Sequence, residues 1–79
     1  MHSELIKARV RMAGYTLADV AHIAGIGEST VRQALLRPSA AGEKAIAIIL
    51  GMPLYELWPD RWTQDGKRIR PRYAYLYKE

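Results

Sequence analysis

A chain of 79 residues makes one domain, and folding at that size buries only roughly 60% of the unfolded surface, so the core is small and no large active-site cavity is expected. The absence of cysteine excludes a disulfide framework and a thiolate metal site. The longest apolar run, residues 45–50, falls far short of the about 20 needed to cross a bilayer, and no signal-peptide h-region opens the chain; a cytoplasmic location with no membrane partner is expected.

The net charge is +4 and the pI about 9.7, a balance that suits a polyanionic partner. The excess is uneven. Residues 1–59 carry six basic and five acidic side chains, whereas residues 60–79 carry six and three.

In chain order, Ser3 is the expected cap of a first helix over residues 3–13, with Glu4 in its first turn and Gly14 past its end. Ile6, Val10 and Ala13, helped by Leu5, give it one apolar side. Lys7, Arg9 and Arg11 read as a solvated face in preference to a phosphate contact, and Tyr15 packs over the helix end.

The next stretch, LADVAHIAGIGESTVRQALL over residues 17–36, organises the chain. Leu17, Val20, Ala21 and Ala24 recur at the one-face spacing of an amphipathic helix. Thr16 caps it, and Asp19 three residues on completes a capping box. Gly25 supplies the positive φ of a sharp stop. After Ile26, which drops into the angle between the helices, Val31, Ala34 and Leu35 begin a second period. Two short helices crossing closely need a small residue at the crossing, and Ala21 stands four residues before Gly25. Ala21, Gly25, Ile26 and Val31 together make a helix-turn-helix pattern.

If Val31, Ala34 and Leu35 face inward, then Glu28, Ser29, Arg32, Gln33 and Leu36 face outward, where such motifs present residues to base edges. Gln33 has the amide geometry for the N6/N7 edge of adenine, and Arg32 the fork for guanine O6/N7 or a phosphate. Ser29 and Thr30 suit phosphates or base edges at the helix start. Glu28 stands four residues before Arg32, the favoured direction for an ion pair that orients the arginine, while contact with cytosine N4 is the alternative. Leu36 meets a thymine methyl or continues the core. Thr16, Arg37 and Lys44 complete the candidate DNA contacts, with the amides near Ala41 and Gly42 as further backbone candidates.

Pro38 ends the second helix of the motif near Arg37. Ser39 is the expected cap of a fourth helix that runs through Glu43 and Lys44 into the apolar run and stops at Gly51, hydrophobic nearly all round and central to the bundle. Pro53 opens a short fifth helix over residues 53–58 with Leu54, Leu57 and Trp58 on one face. Trp58 plugs the core, and Pro59 ends the helix.

Residues 17–21, Ser29-Thr30-Val31, Ala34-Leu35, Arg37-Pro38, Gly42-Glu43, Ile46 with Ala47, Leu50-Gly51 and the closing Leu57-Trp58-Pro59-Asp60-Arg61-Trp62 give the chain a resemblance. It resembles the Ner family of small regulators of Mu-like transposable phages and their Nlp bacterial relatives, over residues 3–62. The resemblance implies an all-α, lambda-repressor-like bundle of five helices that binds operator DNA and represses early promoters, including those of transposition genes. By position, residues 28–36 are its recognition helix. Ser39 and Ala40 depart from the family, which often has tryptophan and proline there, and the recognition face differs, so no operator transfers.

Residues 1–62 are thus the expected DNA-binding domain and residues 63–79 a basic, tyrosine-rich tail. Within the tail, Asp65-Gly66 is a type I′ hairpin signal. Arg70-Pro71-Arg72 breaks any ladder, and Tyr73, Tyr75 and Tyr77 then alternate with other residues. Three readings stand open: an extended segment docked on the body or a second subunit, a basic arm of Lys67, Arg68, Arg70 and Arg72 on phosphates or in a minor groove, and a solvated tail.

Catalysis is not expected. His2 and His22 are isolated, and the chain has no paired carboxylates, phosphate-cradling glycine loop or nucleophile–base set. No cofactor, metal or small-molecule ligand is expected. The partner is double-stranded DNA, with a homodimer on DNA as a candidate arrangement. The competing reading is a protein-interaction module on the same bundle, antitoxin-like or adaptor-like, whose tail docks a partner.

Overall fold

The computed structural model describes residues 1–69. Five helices follow one another: α1 (Ser3–Met12), α2 (Leu17–Ala24), α3 (Glu28–Leu36), α4 (Ala40–Leu50) and α5 (Leu54–Leu57). This is the all-α, five-helix arrangement expected. Arg70, Arg72 and the tyrosine alternation lie outside the described residues.

Local chemistry sets the helix ends. Thr16 Oγ1 accepts from the Asp19 amide at 3.1 Å, and the Asp19 carboxylate accepts from the Thr16 amide at 2.9 Å, so the capping box closes both ways. Gly25 and Gly51 stop α2 and α4 at φ +70° and +63°, a region open to glycine at no Cβ cost. Two expected caps differ. Ser3 is already helical, and His2 caps α1 instead, its Nδ1 accepting from the Glu4 amide at 3.1 Å. Because α1 ends at Met12, Ala13 becomes its exposed C-cap and not part of the apolar side. Ser39 holds the cap position of α4, yet its side chain makes no cap bond; its amide instead donates to the Glu43 carboxylate at 2.6 Å.

The core gathers Ile6 and Val10 from α1, Val20 and Ala21 from α2, Val31, Ala34 and Leu35 from α3, and Ala45, Ile46 and Ala47 from α4. Leu57, Trp58 and Trp62 close it from the C-terminal side. The large members, such as Ile6, Ile46 and Leu57, each contribute about 1.5–3 kcal/mol by leaving water. As expected, α4 is central, packing on α1, α2, α3 and α5. It is nevertheless not buried all round: Ile48 is 77% exposed and shares its outward face with Ala41 and Lys44.

The closest approach is between α3 and α4 at Gly42. A Cβ built there would stand 2.6 Å from the Thr30 carbonyl oxygen and 2.8 Å from the Ala34 Cβ. Only glycine lets the backbones come this near. Ala21 on α2 is buried as well.

Past α5 the chain reverses in a hairpin. Trp62 and Arg68 form an antiparallel bridge, the Thr63 amide donates to the Lys67 carbonyl at 2.8 Å, and the Ile69 amide donates to the Arg61 carbonyl at 2.8 Å. The turn differs from the expected type. The Gly66 amide donates to the Thr63 carbonyl at 3.0 Å, and Gly66 alone in the loop has positive φ, +85°. A type I′ turn would need positive φ at Asp65 as well. The loop is therefore a three-residue one, a type I turn over Gln64-Asp65 closed by a left-handed glycine. Ile69 is buried, so the fold continues past Trp62 into the stretch expected as tail.

Candidate nucleic-acid interface

The outward face of α3 is as the periodicity predicts. Val31, Ala34 and Leu35 are buried, while Glu28, Ser29, Arg32, Gln33, Leu36 and Arg37 are exposed. Ser29, Arg32, Gln33 and Leu36 fall at i, i+3, i+4 and i+7, one stripe along the helix. Leu36, 76% exposed, points out and does not continue the core. Arg32 donates through Nη2 to Glu28 Oε1 at 2.5 Å, the expected intrahelical pair. Both partners are about half exposed, so the pair adds little stability.

Thr30 is half-buried, because its backbone forms the α3 side of the Gly42 crossing. Arg37 ends α3 in extended conformation, φ −150° and ψ 162°, as the following proline requires. Thr16 is exposed at the start of α2. Lys44 is exposed on α4, its ammonium 5.8 Å from the centre of the Trp62 ring. At the hairpin tip Lys67 is exposed and 3.8 Å from the Asp65 carboxylate.

Arg68, grouped with the basic arm by sequence, turns inward. Its Nη1 donates to Glu43 Oε1 at 2.6 Å, and its guanidinium lies 5.1 Å from the centre of the Trp62 ring. Glu43 is fully buried and is the centre of a network that sequence reasoning missed. Oε2 accepts from Arg61 Nη1 at 3.0 Å and from the Ser39 amide, and Oε1 from Trp62 Nε1 at 2.7 Å. Burial pushes the Glu43 carboxyl up, but hydrogen bonds from Arg68, the Ser39 amide and Trp62, with the charge of Arg68, outweigh it. The carboxyl is held below its ordinary range.

The network reaches α3. The Ala34 carbonyl would be matched by the amide four residues on, and that residue is Pro38, which has none. Arg61 Nη1 fills the gap by donating to the Ala34 oxygen. One guanidinium thus joins the end of α3 to Glu43 on α4, while Arg68 and Trp62 tie the hairpin to the same carboxylate. A signal was present in the sequence: Glu43, Ile46, Ala47 and Leu50 fall at i, i+3, i+4 and i+7, which places a carboxylate on an apolar stripe.

A second arrangement that sequence reasoning set aside lies at the α1–α2 corner, where Lys7, Val10, Arg11, Tyr15, Thr16 and Leu17 line one open cleft. Of the isolated histidines, His2 serves as a cap and His22 is exposed on α2.

A family model described as winged helix-turn-helix DNA-binding matches residues 1–74. The chain belongs to this winged helix-turn-helix DNA-binding family. No curated protein and no solved structure gives a significant match. In this winged helix-turn-helix domain α2 packs on α3, and the hairpin over residues 62–68 is clamped onto the bundle that carries them. No helix among the described residues is long and apolar enough to cross a membrane.

Proposed function

We propose that the protein is a sequence-specific regulator that reads double-stranded DNA with the outward stripe of α3 in the major groove. The observation that carries this reading is the stripe itself. The second helix of a helix-turn-helix holds Ser29, Arg32, Gln33 and Leu36 out to solvent, with Arg32 paired to Glu28. In this reading Gln33 pairs with adenine, Arg32 with guanine, and Leu36 meets a thymine methyl. Ser29, Thr30, Arg37, Lys44 and Thr16 hold phosphates or flanking base edges. Lys67 at the hairpin tip extends the phosphate contacts, joined by Arg70 and Arg72 beyond the described residues. Arg68 serves instead as the anchor of the hairpin.

The finer placement rests on the resemblance. The Arg37-Pro38, Gly42-Glu43 and Leu57-Trp58-Pro59-Asp60-Arg61-Trp62 set supports a Ner-like regulator, a repressor of early and transposition promoters in a Mu-like phage or prophage, acting in the cytoplasm of the host. If two copies bind as a homodimer, their half-sites lie about one helical turn, or a multiple, apart.

A protein-interaction module is the competing reading, favoured by the exposure of Met12 and Ile48, 83% and 77%. Salt separates the two. Fluorescence anisotropy of the protein on a random-sequence duplex is expected to give an affinity falling linearly in log salt, with a slope of about −0.9 for each phosphate neutralised. An absence of duplex binding at low salt would sink the DNA reading and leave the interaction module.

A further inference from the structure

Lys7 and Arg11 are four residues apart on α1, so their side chains rise from one face. That face meets the start of α2 in the open cleft lined by Lys7, Val10, Arg11, Tyr15, Thr16 and Leu17. Buried Val10 and half-buried Leu17 give the cleft apolar members, and the two cations, the tyrosine and the threonine give it polar ones.

Two carboxylates lie near. Glu4 is 3.7 Å from the Lys7 ammonium, in a pair exposed on both sides, and Asp19 is engaged by the Thr16 amide. Arg11 has no carboxylate partner among the described residues. Contrast the cations of the hairpin base, where Arg61 and Arg68 are both spent on Glu43. The domain pairs the cations it uses for folding with a buried carboxylate, whereas in this concavity Lys7 has only a solvent-exposed partner and Arg11 has no carboxylate within ion-pair distance among the described residues.

We infer that this cleft seats one phosphate of the DNA backbone, held between Lys7 and Arg11. The inference rests on the DNA reading above and adds α1 to the surface that holds the duplex. The chemistry required is a phosphate oxyanion. An open cleft with two cations holds a free anion weakly, whereas a strand already bound by α3 delivers its phosphate at high effective concentration. Displacing Glu4 from Lys7 costs little, because exposed pairs contribute little.

The test compares wild type, Lys7→Gln/Arg11→Gln and the control Arg9→Gln, exposed on the same helix but outside the cleft, using the full chain and a random-sequence duplex. Circular dichroism checks that all three are folded. The double variant is expected to lose about 0.9 from the magnitude of the log–log salt slope, so that about threefold less affinity is lost for each fourfold rise in salt, while Arg9→Gln keeps the wild-type slope. An unchanged slope in the double variant, or an equal loss in Arg9→Gln, overturns the phosphate seat. Inorganic phosphate titrated at constant ionic strength supplies the second arm. Amide shifts at residues 7–17 are expected with duplex and not with inorganic phosphate, and saturation by the free anion overturns the assignment to the backbone. Failure of the wild type to bind duplex at all refutes the underlying DNA reading, a result distinct from a wild type that binds with a slope the cleft does not influence.

Discussion

Glu43→Ala is expected to destabilise the domain by about 3–5 kcal/mol, the cost of removing one partner of a buried ion pair and stranding the rest. For 79 residues the total stability is only about 4–12 kcal/mol, so the variant approaches unfolding. Four donors lose their acceptor together: the guanidinium groups of Arg61 and Arg68, the indole of Trp62 and the Ser39 amide. Denaturant unfolding measures the loss, and amide exchange over residues 62–69 is expected to accelerate first, because the hairpin hangs on that carboxylate. Glu43→Gln separates charge from hydrogen bonding, since it keeps an acceptor for Trp62, and its loss is expected to be smaller. The pH dependence has the same origin. A carboxyl held low in the folded state stabilises fully above its unfolded value, about 4.3, and the contribution is lost as pH falls through the lower folded value. The wild type is therefore expected to lose melting temperature below about pH 4 more steeply than Glu43→Gln. A Glu43→Ala cost under about 1 kcal/mol, the range of an exposed pair, would contradict a buried hub.

Gly42→Ala gives the second large effect, with a sign that decides between two accounts. Gly42 lies in the first turn of α4, and helix propensity alone predicts a gain of at most about 0.8–1 kcal/mol from replacing a helical glycine by alanine. The added methyl would instead meet the Thr30 carbonyl at 2.6 Å and the Ala34 Cβ at 2.8 Å, and neither can swing away, one being backbone and the other fixed to it. The helices must separate, and overpacking of this kind costs about 1–3 kcal/mol. A net loss of up to about 2 kcal/mol is expected by denaturant unfolding. A gain in stability would show that α3 and α4 do not cross so closely. Because α3 carries the proposed reading face, the same displacement is expected to weaken DNA binding.

These two residues also mark what the sequence disclosed and what it hid. Elements whose cause is local were legible. The capping box of Thr16 and Asp19, the left-handed stops at Gly25 and Gly51, the extended Arg37 before Pro38 and the Glu28–Arg32 pair each depend on residues within four positions. The inward and outward faces of α3 followed from its period for the same reason. What stayed hidden depends on partners far along the chain. Glu43 meets Arg61 and Arg68 at separations of 18 and 25 residues, and Gly42 is needed for a neighbour on another helix. The hairpin reversal was visible in Asp65-Gly66, but whether Asp65 or only Gly66 turns left-handed is decided by the register that the Trp62–Arg68 bridge imposes. The solvated-face reading of Lys7 and Arg11 had no means of knowing that α2 would close one side of that face.

Selection of binding sites from random duplex DNA, run in parallel with wild type and with Arg32→Ala/Gln33→Ala, tests the reading face of α3 most directly. Each single substitution is expected to cost about 1–3 kcal/mol of discrimination at one base position, so the wild type yields a motif whose adenine and guanine positions fade in the double variant. Two-fold symmetry in that motif would report a dimer. A motif that survives the double substitution unchanged would contradict recognition by α3.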